Sequence, residues 1–258
     1  MTAPKTVVLD IETAPIVGNV WGLFDQNVGL NQIVRDWVIL SVSWKWMHEK
    51  KVHYVDNRGA PLDDAATVKT IWQVLDEADF VVGHNVIKFD VRKINARLIH
   101  YKLPPPSPYK MLDTQRMAKK VMMATSNKLE YLSAAFTDQP KSLHKAFPGF
   151  ELWAAVLRDE PKAWEAMKKY NAQDVRATEK LYLVLRPWCN THPNVNVYDD
   201  GTKVRCPKCG SDHIQRRGTM TTNTGKYTRY HCTDCGGWSR TRYTENTVQK
   251  RRSLLASV

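Results

Sequence analysis

Four acidic side chains and a phenol stand out by type and spacing. In "VVLDIET" (residues 7–13), Asp10 and Glu12 lie two apart inside an apolar, β-branched run. Alternate residues of a strand share a face, so both carboxylates point one way, and Leu9 and Ile11 the other. Two like charges that close are unfavourable unless a positive charge sits between them. That face is therefore either solvated or the holder of a cation. Asp90 stands in "GHNVIKFDVRKI" (83–94), where a buried strand turns into a helix. "KKYNAQDVRATEK" (168–180) sets Tyr170 and Asp174 four apart, on one helix face. Singly, each has a plain structural explanation: a solvated strand face, a first-turn acid favoured by the helix dipole, an exposed helical pair. Their joint occurrence points to chemistry.

The elements that must position these residues read as follows. Strands are expected at 5–12, 37–46 and 50–55, all rich in β-branched and aromatic residues. The segment 63–78 has helical periodicity, with Asp63 or Asp64 placed to cap it. A short buried strand follows at 79–85, a helix at 89–103 stopped by "PPPSP" (104–108), and a strand at 109–114. Beyond it the pattern is helical to about Trp188, with a loop at 137–149. Short connections make the first three strands an antiparallel meander, whereas strands joined through helices tend to be parallel. The expected fold class is α/β, a mixed five-stranded sheet flanked by helices.

"VVLDIETA", "HNVIKFD" and "YNAQD", in that order, resemble the three motifs of the DEDD superfamily of ribonuclease-H-like 3′–5′ exonucleases. The resemblance spans about residues 5–185, and its first two motifs are most similar to the exonuclease domains of family B DNA polymerases and their free-standing relatives. The third motif has the Tyr-x-x-x-Asp form, and the position five before Asp174 is Lys169 rather than His, which favours the tyrosine subclass.

That resemblance implies hydrolysis of phosphodiester bonds from a 3′ end. Water must attack an anionic phosphorus and an alkoxide must leave; two divalent ions about 4 Å apart serve both needs. Mg²⁺ or Mn²⁺ suits an all-carboxylate site. By the resemblance, Asp10 bridges both ions, while Glu12 and Asp174 help to hold the one that carries the attacking water. Asp90 serves the second ion, directly or through water, and Tyr170 orients the nucleophile. Asn85 and Phe89 would touch the terminal nucleotide; an Asn ending a strand and a Phe packing a helix are equally good readings of these two. Asp113, which follows an apolar strand as Asp10 does, reads as a turn or N-cap residue. His84 reads as a packed or hydrogen-bonding turn residue.

A second constellation lies near the C-terminus. Cys206-x2-Cys209 and Cys232-x2-Cys235 are separated by 22 residues, each pair followed by Gly. Two such knuckles in a reducing compartment are a structural-zinc signature, and the module resembles a zinc ribbon. About 40 residues cannot build a large core, so one Zn²⁺ should supply much of the folding energy. His213 and His231 could replace a thiolate, but four thiolates already complete a tetrahedron. The segment between the knuckles (211–231) suits a β-hairpin turning at "NTG". It carries Arg216, Arg217, Lys226 and Arg229 among Tyr227 and Tyr230, with Trp238, Arg240, Arg242 and Tyr243 beyond. Cations among aromatics suit a groove that neutralises phosphates and stacks on bases. A solvated basic face is the plain alternative, and docking to a protein another.

Charge agrees with a polyanionic partner. Residues 201–258 hold 12 Lys and Arg against 3 Asp and Glu, a balance of +9, against +3 for residues 1–200. The expected organisation is a ribonuclease-H-like domain at 1–192, a linker at 193–203, the zinc ribbon at 204–243 and a basic tail at 244–258. No apolar run approaches the roughly 20 residues of a membrane span, and no secretory leader is recognisable. The chain is expected in a cytoplasm, bacterial or that of an infected host cell if phage-encoded. Its partner is expected to be DNA with a free single-stranded 3′ end, with no membrane and with room for a replication or repair protein partner. No polymerase domain fits in the chain, so proofreading would need such a partner. Alternatives are an inactive nucleic-acid-binding scaffold, an RNA-directed exonuclease, or a structure-specific endonuclease on the same fold.

Overall fold

β1 (Thr6–Thr13) is the middle strand of a five-stranded sheet in the computed structural model, which describes residues 4–140 and 146–256. Residues 141–145 of the expected loop lie outside the described residues. Along the chain follow β2 (Val17–Gly18), β3 (Ile33–Arg35), β4 (Ile39–Trp46), β5 (His53–Asp56), α1 (Ala65–Glu77), β6 (Phe80–Gly83), α2 (Asp90–His100) and β7 (Lys110–Asp113). Helices α3 (Thr114–Val121), α4 (Leu129–Phe136), α5 (Glu151–Leu157) and α6 (Pro161–Leu185) complete this part. The sheet order is β5-β4-β1-β6-β7; β4 runs antiparallel to β1 and β5, and β6 parallel to β1 and β7. The mixed topology is the one that connection lengths imply.

The two faces of β1 have different neighbours. Val7, Leu9 and Ile11 are buried in a core with Ile71, Leu75, Val91, Ile94 and Leu98, which come from α1 and α2. Asp10 and Glu12 face the other way and lie opposite Ser43 and Ser41 of β4. Leu152, Ala155 and Val156 of α5 and Ala163, Trp164, Met167 and Tyr170 of α6 form a second core with Ala14, Val38 and Leu40. A polar row along β4 meets α6: Ser41 donates to Asn171, and Lys45 pairs with the half-buried Glu179.

Asp64 holds the N-cap position of α1, yet its side chain does not cap. It accepts instead from Ile39 N–H at 2.9 Å, Arg97 Nε at 2.7 Å and Tyr101 Oη at 2.6 Å, while Asp63 accepts from Ala65 N–H at 3.1 Å. One short pair was not anticipated from the sequence: β2 and β3 pair antiparallel on an excursion that leaves Trp21, Leu23, Phe24 and Leu30 exposed.

The chain divides into two compact units, Lys5–Tyr182 and a second from Leu183 onward. The second holds β8 (Ile214–Thr221), β9 (Lys226–Cys232) and β10 (Trp238–Arg240), an antiparallel sheet in the order β10-β9-β8. The β8–β9 hairpin closes at 222–225, where Thr222 N–H donates to Gly225 O at 2.8 Å. A short helix, α7 (Val248–Arg252), lies in the segment expected as a basic tail. Among the described residues no helix is long and apolar enough to cross a membrane.

Candidate active site

Carboxylate oxygens of Asp10, Glu12 and Asp174 lie within 4.8 Å of one another. β1 supplies two of them by its period of 2, and α6 supplies the third from a buried position. The convergence is fixed by a residue that the sequence reading did not single out. Asn171, fully buried one turn before Asp174, donates from Nδ2 to Asp10 Oδ2 at 2.6 Å and to Asp10 O at 3.1 Å. Its Oδ1 accepts from Ser41 Oγ at 3.5 Å. Its signal was its place inside "YNAQD", between the two residues that were read.

Asp90 is not among these three and instead meets the backbone of β1. Pairing of β1 with β6 ends at Val8–Val82, and Ile11 N–H donates to Asp90 Oδ1 at 3.2 Å. Burial pushes the Asp90 carboxyl up to about 7, with the Asp113 charge adding to the rise and backbone N–H groups opposing it. Asp113 itself caps α3 through Gln115 and Arg116 N–H, and also accepts from Asn85 N–H at 3.1 Å and Ile87 N–H at 3.3 Å. It thus pins the turn that launches α2. That turn is tight: a side chain at Gly83 would put Cβ 2.7 Å from Val86 Cβ, and Asn85 has φ of +65°.

A cleft of about 330 Å³ opens over the acids, lined by Asp10, His84, Asn85, Gln115, Lys128, Leu129, Glu130 and Asp174. Asn85 thus reaches the cleft. His84 is held by Thr114 Oγ1 and Asn127 O, both at 2.9 Å. Phe89 is exposed at the start of α2, with its ring 5.3 Å from Lys93 Nζ, and does not line this cleft.

Tyr170 is 9% exposed and packs edge-on to Trp153, ring centroids 6.0 Å apart. Trp153 also lines a second, mainly apolar cleft of about 610 Å³ with Thr13, Ala14, Ile16, Trp37, Lys93 and Phe150. Lys93 Nζ sits 3.8 Å over the Trp37 ring, and burial pushes its ammonium pKa down. The sequence reading missed this cleft, because Trp37 lies far along the chain from Phe150 and Trp153 and nothing in the sequence brings them together.

The donor set over β1 consists only of carboxylate oxygens, which fits hard divalent cations. The second unit offers the soft counterpart. Cys206, Cys209, Cys232 and Cys235 converge with all four sulfurs within 4.8 Å. Cys206–Cys235 and Cys209–Cys232 Sγ separations are 3.6 Å, far too long for a disulfide. They are close to the edge of about 3.8 Å that a tetrahedron of 2.3 Å metal–sulfur bonds requires. His213 turns to Asp234 at 3.0 Å and His231 packs on Trp238, so neither joins the thiols.

Of the basic and aromatic residues anticipated on the hairpin, the β8–β9–β10 register separates two groups. Tyr227 and Arg229 lie on one face with Trp238 and Arg240, and Arg216, Lys226 and Tyr230 on the other; Arg217 falls at the register shift and turns to Gln215, on the first face.

Comparison with known proteins follows the geometry. The chain resembles in structure the family B DNA polymerase of the hyperthermophilic archaeon Pyrobaculum calidifontis, with a TM-score of 0.54 and 14% identity. That likeness covers 72% of this chain and 26% of the polymerase, so the chain spans about a quarter of that protein's length. At that identity the likeness concerns the fold. A comparison with curated proteins gives no match. The sequence profile of the RNase H superfamily matches residues 29–186, a span that includes Asp90, Tyr170 and Asp174 and begins beyond Asp10 and Glu12. With that match over more than half of its length, the chain belongs to the RNase H superfamily.

Proposed function

We propose that this chain is a metal-dependent 3′–5′ exonuclease that removes nucleotides from single-stranded ends of DNA. The observation that carries the reading is the convergence of Asp10, Glu12 and Asp174, of which Asp10 and Asp174 line an open cleft, with Asp90 bonded to the backbone of the same strand. Two Mg²⁺ or Mn²⁺ ions, when bound, supply an activated water and charge neutralisation at the leaving oxygen. Asp10, oriented by Asn171, would hold them together with Glu12, Asp174 and Asp90. Tyr170, gripped by Trp153, orients the attacking water, a role that asks a phenol only to hydrogen-bond.

The clefts support action at an unpaired terminus. A volume of about 330 Å³ suits a nucleotide rather than a duplex. The aromatic cleft, lined in part by Thr13 and Ala14 just after Glu12 in the chain, suits a base that has left its stack. In the second unit one Zn²⁺ on four thiolates holds the ribbon, which assists nucleic-acid binding.

The test uses 5′-labelled single-stranded DNA, duplex DNA and RNA, with Mg²⁺ or Mn²⁺ omitted and restored, for the wild type and Asp10→Ala. The expected result is a ladder shortening from the 3′ end that requires metal and Asp10 and is fastest on single-stranded DNA. Activity unchanged in Asp10→Ala would overturn the site, and internal cuts on a 3′-blocked strand would overturn the exonuclease assignment.

A further inference from the structure

The antiparallel register of the ribbon sorts its side chains cleanly. Trp238 lies opposite His231, Arg240 opposite Arg229, and Gln215 opposite His231 from the other side. Arg217 reaches Gln215 Oε1 at 2.7 Å, so it shares that face. One face therefore presents Arg217, Arg229 and Arg240 with Tyr227, His231 and Trp238. The other carries the buried Thr228 and Cys232, with Arg216 paired to Glu245 at 3.7 Å.

Three features distinguish the first face from a merely solvated one. No strand residue of this sheet is acidic, so nothing on the strands neutralises it. The arginines are also rigidly seated: Arg240 Cζ lies 3.8 Å from the Tyr227 ring centroid and Arg229 Cζ 4.8 Å from that of Trp238. Arg229 Nε donates to Arg217 O at 2.9 Å, and Arg240 Nη1 to Thr241 O at 2.9 Å. A guanidinium has five donors, so most remain to be offered edgewise. Finally, the rings are already occupied. Tyr227 is covered by Arg240, and Trp238 carries Arg229 and a tilted His231 at 4.8 Å. Such rings serve as rests for guanidinium groups rather than as platforms for bases.

We propose that this face binds the phosphate backbone of nucleic acid through Arg217, Arg229 and Arg240, and that it reads neither base identity nor base presence. The proposal rests on the nucleic-acid reading of the chain above and names the chemistry its ribbon would recognise. It also changes the role expected of Tyr227, from stacking on a base to seating an arginine.

The test measures binding rather than cleavage. The zinc-loaded full chain is titrated, without other divalent ions and without chelator, against a labelled single strand and an abasic strand of the same length, over a salt series. The preference between the two strands should be the same in wild type and in Arg217→Gln/Arg229→Gln/Arg240→Gln, because the ribbon's contacts go to the backbone. Arg217→Gln/Arg229→Gln/Arg240→Gln should bind about tenfold more weakly at low salt, with a log K against log salt slope shallower by about 2. The corresponding triple Lys variant, which keeps the charges, should keep the slope, and zinc content with thermal unfolding verifies that each variant is folded. A folded Gln triple variant with an unchanged slope would overturn the proposal, as would one whose preference between the two strands differs from that of wild type. Because cleavage is no part of the readout, failure of the separate Mg²⁺- or Mn²⁺-dependent cleavage assay would remove the exonuclease reading while leaving this comparison decisive.

Discussion

Asn171 Nδ2 lies 2.6 Å from Asp10 Oδ2, across 161 residues of chain. The bond leaves one Asp10 oxygen directed away from Asn171 and fixes the carboxylate between α6 and β1. Asn171→Ala should reduce the rate by about 10- to 100-fold, as loss of a group that orients a metal ligand typically does. The defect should be partly relieved by raised Mg²⁺ or Mn²⁺. Steady-state rates over a metal titration check this; an undisturbed rate with a folded variant would show that Asp10 needs no such hold.

Asp90 predicts a pH dependence whose sign can be worked out. Its folded pKa is raised from 3.8 to about 7, so the fold favours the protonated form. This group's contribution to stability is fully present below about pH 4 and is lost as pH rises through about 7. The metal-free protein should therefore lose stability between those values, and Asp90→Asn should flatten the decline. Divalent ions need the carboxylate, so their affinity should rise across the same window with release of a proton. Thermal unfolding without metal, and calorimetry in two buffers of different ionisation enthalpy, read the two effects.

Lys45 and Glu179 form an ion pair with side chains only 9% and 12% exposed, tying β4 to α6. Glu179→Gln should cost roughly 3 kcal/mol, because it strands the Lys45 charge. Lys45→Met/Glu179→Leu should recover most of that loss, since the pair itself gains little over apolar packing. Urea denaturation of the three proteins gives the comparison. If α6 shifts in the apolar double variant, its catalytic rate should fall more than its stability.

Zinc removal should unfold the ribbon while leaving the sheet of the other unit folded. Cys206→Ser should bind less than one zinc per chain and expose the β8–β9 hairpin to protease. Zinc content by a metallochromic dye and the pattern of proteolytic fragments check both points. Full proteolytic resistance in a zinc-free chain would contradict the assignment of the thiol cluster.

Much of this was legible because it depends on period and order. Asp10 and Glu12 had to share a face, Tyr170 and Asp174 had to share a helix side, and connection lengths dictated which strands run parallel. The cysteines announced themselves by spacing. What escaped was tertiary. Asp64 had the type and place of a cap, but the half-buried Arg97 and the Ile39 N–H compete for its oxygens more strongly than an exposed helix end. Asn171 resembled any polar residue on a helix, and its value appears only when β1 is laid beside it. The hairpin arginines looked alike in sequence; strand register alone separates Arg216, which meets Glu245, from Arg217 and Arg229, which meet no acid on the strands.

The strand carrying Asp10 is synthesised well before the helix carrying Asn171 and Asp174. No growing polypeptide that stops short of that helix can assemble the cage, whatever the supply of ions. On the proposed reading, cutting therefore has to wait until the late helix has docked, so a half-made chain does no damage.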